Sequence, residues 1–392
     1  MKERYYSLDV FRGATVAFMI MVNNQAGTPY EPLDHAPWHG LTPTDLVFPF
    51  FLFAVGNAMA FVMPHLQQAG TATFLAKVFR RTLLIFSIGL FLNWCPFVRY
   101  DAAGHLVVKG WEWTGDNGQL MGVRVMGVLQ RIALCYLFAS LIIYFFKPRG
   151  AYVIAFILLM LYWVLCATLG DKMDPYSLHR YFGTAVDKWV FGAAHMYHGE
   201  GVAFDPEGLA STIPAITQVI FGFFVGQYIQ AKGKNYEMLS NLFVAGLILM
   251  FAGYCWNFLF PINKKIWTGS YVVYTTGLAI VILSVVIFII EFKNKRGWLS
   301  QYFNVFGKNP LFIFFLSGFL PRLLALIRIP NGVNAATGAL AYTSPFGWFF
   351  LHICKPISSD ERAASLFYSI CLTIFYWLIG YVLDKKKIYI RV

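Results

Sequence analysis

The sequence predicts an all-α, polytopic membrane protein of about ten transmembrane helices, and three observations carry that expectation. The 392 residues are 58% hydrophobic and 18% aromatic, and only 13% are Asp, Glu, Lys or Arg, against about 25% charged in soluble domains. Mean hydropathy is +0.59. Apolar runs long enough to cross about 30 Å of hydrocarbon recur from one end of the chain to the other. The composition excludes a soluble enzyme, whose surface so few charges would not cover, and also a disordered chain or a secreted disulfide scaffold. The six cysteines stand singly, with no C-x-x-C pair, and read as small apolar residues.

The first span is expected at 8–26. Asp9 and Arg12 stand at i, i+3 near its start and suit a local ion pair. A signal peptide is the competing reading of Lys2, Arg4 and the run Ala14–Val22, but Asp9 and Arg12 overextend its charged region and Asn23-Asn24-Gln25 follow it. The second span, 44–63, is opened by Thr42-Pro43-Thr44-Asp45, with Thr42 as N-cap, Pro43 at the first helical position and Asp45 completing an acidic capping box. Further spans are expected at 78–97, 124–146, 150–169, 211–230, 239–260, 270–291, 305–328 and 363–384. Arg131 lies inside the fourth, where a charge implies a partner, a polar cavity or an anionic ligand. The segment 340–354 is short and interrupted by Pro345 and Gly347, and is expected as a surface or re-entrant helix. No repeat or soluble module divides the chain, so 1–392 reads as one domain. Pro49, Pro214 and Pro310 show no two-half correspondence, which argues against a transporter built of repeats.

Charge placement sets the expected orientation. With the N-terminus inside, the inner segments hold eighteen of the 31 Lys and Arg residues in short loops, whereas the longest outer loop, 170–210, holds six acids against three bases. The positive-inside rule then places both termini in the cytoplasm. The net charge of +12 reads as topology and not as nucleic-acid binding.

Polar chemistry gathers outside. Six of the eight histidines fall in the loops after Asn23, at 98–123 and at 170–210. Trp38, Trp111, Glu112, Trp113, Asp116 and Asn117 add aromatic faces and hydrogen-bonding groups. Such a surface suits a carbohydrate, and equally an interfacial aromatic belt. His35 is the sharpest candidate, either a base that takes a proton from an amine or hydroxyl or a locally bonded loop residue. Asp45 either caps its helix alone or also orients His35. His35 and His39, with His195 and His198, invite a metal reading that Pro37 opposes, and no metal is expected.

The ordered motifs resemble one family. Ser7-Leu8-Asp9-Val10-Phe11-Arg12-Gly13, Val22-Asn23, His35-Ala36-Pro37-Trp38-His39-Gly40-Leu41-Thr42 and Asp45-Leu46-Val47-Phe48-Pro49 are similar to the heparan-α-glucosaminide N-acetyltransferases. So are Val123-Arg124, Val128-Leu129-Gln130-Arg131, Ala203 to Leu209, Asn263-Lys264-Lys265-Ile266-Trp267 and Ser270-Tyr271-Val272. The set covers essentially the whole chain, in the form of a bacterial-type member without a soluble N-terminal domain. The resemblance implies a transmembrane acyltransferase bundle in the cytoplasmic membrane, a homodimer, and transfer of acetyl from cytoplasmic acetyl-CoA to a glucosamine-like amine outside. It implies His35 as the catalytic histidine and Asn23, or its neighbour Asn24, as the asparagine that works with it. Beside it, Asp205, Glu207, Trp38 and Asp45 are candidates for binding the acceptor, and Arg12, Arg81 and Arg131 for the CoA phosphates. The rival readings are an O-acyltransferase of surface glycans, a sugar transporter, and a membrane protein with no chemistry of its own.

Overall fold

The computed structural model describes residues 5–101, 104–115, 118–333 and 340–390. Lys2, Arg4, Asp116, Asn117 and Arg391 of the loop and charge readings lie outside them. The fold is mostly helical, 69% of the described residues. Among the described residues six helices are long and apolar enough to cross a membrane, or seven if one bent pair counts as a single span.

Helix α1 (Tyr6–Asn23) is followed by the loop that carries His35, then by α2 (Val47–Gln68), whose entry is a 3₁₀ turn over Pro43–Leu46 closed by the expected capping box. Helix α3 spans Thr71–Trp94. The spans expected at 124–146 and 150–169 form α4 (Val128–Leu169), which breaks at Lys147, where φ is 58° and ψ 172°. Pro148 supplies the reason, because the residue before a proline is pushed out of the helical region. Then come α5 (Phe182–Phe191), α6 (Leu209–Lys232), α7 (Tyr236–Trp256) and α8 (Gly269–Ile287).

The span expected at 305–328 is instead two helices, α9 (Trp298–Lys308) and α10 (Pro310–Leu324), bent by 78°. Asn309, with φ −129° and ψ 49°, leaves the helical region, and Pro310, without an N–H to donate, starts α10 at its first position. The segment expected as a surface or re-entrant helix gives α11 (Pro345–Phe349) and a π turn through Cys354, and α12 (Glu361–Lys385) ends the described fold.

The all-α expectation needs a second correction. Three antiparallel hairpins pair β1 (Val98–Tyr100) with β2 (Leu106–Val108), β3 (Glu112–Thr114) with β4 (Leu120–Gly122), and β5 (Ile329–Val333) with β6 (Leu340–Thr343).

Close backbone contact holds the bundle together. A Cβ on Gly56 would lie 1.9 Å from the Val219 carbonyl oxygen, and one on Gly222 2.1 Å from that of Phe53, so α2 and α6 meet where only glycine fits. Gly13 and Gly307 do the same for α1 and α9.

Polar contacts separate into two ends. At one, the Trp38 indole donates to the Tyr176 carbonyl (2.9 Å), Lys265 donates to Glu200 (2.7 Å), and Arg124 donates to Asp205. These link segments expected on the outer side. At the other, Arg12 donates to the Gly307 carbonyl and Lys308 to Asp384 (2.7 Å), and the backbone N–H of Ser7 donates to Glu291 (2.9 Å). These link segments expected inside. The expected Asp9–Arg12 pair is present at 2.8 Å.

Candidate active site

His35 sits in the α1–α2 loop, which is braced where the Gln25 amide donates to the Leu33 carbonyl (3.0 Å), the Thr42 hydroxyl to that of Asp34 (2.6 Å), and the Gly40 N–H to that of Ile262 (2.8 Å). Asp45 fixes the ring. Its Oδ1 lies 2.7 Å from His35 Nδ1, while its Oδ2 accepts the N–H groups of Ala36 and Thr42 and shares the Thr42 hydroxyl, each at 3.1 Å. A carboxylate only accepts, so Nδ1 carries the hydrogen and Nε2 keeps a free lone pair. Asp45 is 1% exposed, whereas the His35 side chain is 44% exposed. The imidazole is therefore accessible and the carboxylate paired with it is not. Capping and orientation, posed as alternatives for Asp45, are both present.

Lys264, on the turn between α7 and α8, completes the cluster. Its Nζ stands 3.0 Å from His35 Nδ1, 3.3 Å from Nε2 and 3.4 Å from Asp45 Oδ1. Burial holds its ammonium below the ordinary lysine value, and the Asp45 charge opposes that.

Asn23 is not part of this hydrogen-bonded set. It ends α1 and lines a cavity of about 350 Å³ with Asn24, Asn93, Arg124, Gln130 and Arg322. Arg124 leads from that cavity toward the histidine. Its guanidinium donates to Asp205 (2.5 and 3.0 Å) and to Glu207, and the charge of Glu207 acts on Lys264.

No family model matches the chain. Two curated proteins are similar to it along its whole length. The heparan-alpha-glucosaminide N-acetyltransferase of Mus musculus is 25% identical over 450 residues, covering 100% of this chain and 61% of the relative. That of Homo sapiens is 25% identical over 449 residues, covering 99% of this chain and 60% of the relative. The chain is thus related at a distance to these acetyltransferases and spans about three-fifths of their length.

Against that relationship the remaining candidate residues sort by their surroundings. Asp205 and Glu207 are already engaged by Arg124. Trp38 packs on Phe204, with ring centroids 5.5 Å apart, and lies under Lys265 Nζ, so it fastens the 170–210 loop over the histidine loop. The three arginines expected at the CoA phosphates do not come together. Arg12 and Arg81 line one cavity of about 130 Å³. Arg131, fully buried, instead donates to the Gly208 carbonyl (3.1 Å) and to the Ser211 hydroxyl at the start of α6, and lies over the Trp267 ring.

The histidines do not converge on one point either. His39 faces the Asn263 amide at 3.3 Å. His195 is buried between the Val123 carbonyl (2.8 Å) and Glu112 (3.1 Å), where it fastens the β3–β4 hairpin. Among the described residues no group of three His, Cys, Asp or Glu side chains is placed to hold a metal. Lys264 and Arg124 stand in motifs that the sequence reading notes without a role; a lysine pair in a short outer loop and an arginine at a span end are the available signal.

Proposed function

We propose that this chain is a membrane-embedded N-acetyltransferase that moves acetyl from cytoplasmic acetyl-CoA to the amine of a glucosamine-like sugar at the outer face. The observation that carries the reading is the Asp45–His35 pair, which leaves Nε2 as an accessible base at one end of a membrane bundle. The distant similarity to two acetyltransferases supports it.

In this reaction the sugar amine attacks the thioester carbonyl, forming a C–N bond. His35 Nε2 takes the proton that the amine loses. The C–S bond then breaks, and the proton passes to the CoA sulfur. Asp45 stabilises the imidazolium while it lasts, in the manner of an orienting carboxylate. Asn23 is assigned to the developing oxyanion, and the cavity it lines with Gln130 and Arg124 to the acceptor. Arg12 and Arg81, at the opposite end, are assigned to the CoA phosphates. This assignment rests on the same orientation as the charge tally, with both termini cytoplasmic in an inner membrane; the resemblance adds a homodimeric assembly to the proposal.

The test is direct. Purified protein given labelled acetyl-CoA and glucosamine forms an N-acetyl amide, and His35→Ala abolishes it. Equal turnover by wild type and His35→Ala removes the site assignment. Label appearing as an ester selects the O-acyltransferase, and counterflow of unmodified sugar without acetyl-CoA binding selects the transporter.

A further inference from the structure

The proposed reaction leaves one charge in contact with His35, that of Lys264, without a task. A donor in line with the lone pair of one imidazole nitrogen stands far from the other, across the ring. Lys264 Nζ is almost equidistant from both, at 3.0 and 3.3 Å, so it lies against the ring and not at its hydrogen-bonding edge. Its contact with Asp45, at 3.4 Å, is long for a charge-assisted bond. The position is built. Asn263 Oδ1 accepts the Ile266 N–H (3.0 Å), the Asn263 carbonyl accepts the Thr268 N–H (3.1 Å), and the next residue, Lys265, donates to Glu200 and to the Pro37 carbonyl. The Lys264 side chain is 19% exposed, so solvent screens it little.

We propose that Lys264 is a positioning residue for His35: its ammonium, held against the ring, opposes the imidazolium that Asp45 favours and keeps Nε2 free to receive the acceptor's proton. The proposal rests on the acetyltransferase reading for its chemical purpose, but not for its electrostatics. The charged groups in contact with the ring are Asp45 from the entry of α2 and Lys264 from the α7–α8 turn, while Asp34, on the same loop, accepts the His35 backbone N–H at 2.7 Å. Glu207 and Lys265 act on Lys264 from behind, with opposite signs. One carboxylate thus pulls a proton onto the ring, and one ammonium in direct contact resists. Without it, the paired carboxylate acts alone, which promotes the charged form.

Full-length protein in nanodiscs is compared as wild type, Lys264→Gln and Lys264→Arg. One measurement is the rate at which diethyl pyrocarbonate, which attacks neutral imidazole, modifies His35 as pH changes, read by mass spectrometry without substrates. The other is the pH profile of kcat/KM for acetyl transfer. Lys264→Gln is expected to move the acid limb of both profiles upward by about one pH unit or more, and Lys264→Arg to leave it near wild type. If Lys264→Gln does not fold, Lys264→Met, which keeps the stem without the charge, carries the same expectation. Superimposable profiles for the neutral variant and wild type overturn the proposal, as does Lys264→Arg behaving like Lys264→Gln. Absence of acetyl transfer by the wild type overturns the functional reading alone, because the modification profile still decides the role of Lys264.

Discussion

His35 Nδ1 and Asp45 Oδ1 stand 2.7 Å apart, and the carboxylate that makes this contact also closes the N-terminal turn leading into α2. One buried side chain therefore sets where a membrane helix begins and which nitrogen of an exposed histidine carries the proton. The two tasks use different oxygens, Oδ2 for the turn and Oδ1 for the ring.

Asp45→Asn separates the tasks. An amide offers one acceptor oxygen where the site uses two, so either the turn or the ring loses its partner. The expected result is a modest loss of stability, about 1–3 kcal/mol by denaturant unfolding, and a fall of roughly 10²–10⁴ in kcat, the scale seen when an orienting carboxylate is lost. Activity within threefold of wild type shows that His35 does not depend on Asp45.

Arg124 joins Asp205, whose side chain is 2% exposed, to Glu207, at 12%. Replacing it with alanine strands two largely buried carboxylates, and the expected cost is about 3–5 kcal/mol. Arg124→Lys is expected to recover only part of this, because an ammonium does not match the bidentate geometry. Chemical denaturation in mild detergent measures both.

Asp187 accepts the Leu209 N–H at 2.8 Å and is 1% exposed. Burial, the main cause, pushes its carboxyl up to about 7, and the nearby Asp205 adds to the rise. The folded-state value is raised above the unfolded one, so the stability this group contributes is fully present below about pH 4 and is lost as pH climbs through 7. Thermal midpoints between pH 4 and 8 are expected to fall in the wild type and to flatten in Asp187→Asn. Parallel curves contradict the assignment.

The helix contacts make a separate prediction. Gly56→Ala and Gly222→Ala each press a methyl group into a backbone oxygen across the α2–α6 contact, with an expected cost of about 1–3 kcal/mol. Gly297→Ala meets nothing within 4 Å and serves as the steric control, with a loss of no more than about 1 kcal/mol from its N-cap position on α9.

Local chemistry was readable from sequence, and long-range pairing was not. The capping box at Thr42–Asp45 and the Asp9–Arg12 pair lie within one helical turn, where spacing alone brings side chains together. Asp45 was also legible as a partner for His35, ten residues away. Lys264 lies 229 positions from His35, and no periodicity tells which outer loop rests on which. The same limit hid the Arg124 carboxylate cluster and made His195 look like site chemistry when it fastens a hairpin. The break at Asn309–Pro310 falls inside the apolar run expected as one span, and hydropathy alone does not report a bend.

Lys264 and Lys265 are consecutive, yet one reaches His35 and Asp45 while the other reaches Glu200 and the Pro37 carbonyl. Two bolts through one turn tie the α7–α8 pair to both sides of the histidine loop. Those helices cannot tilt without loosening a charge at the imidazole, so the reactivity of His35 is a gauge of their angle.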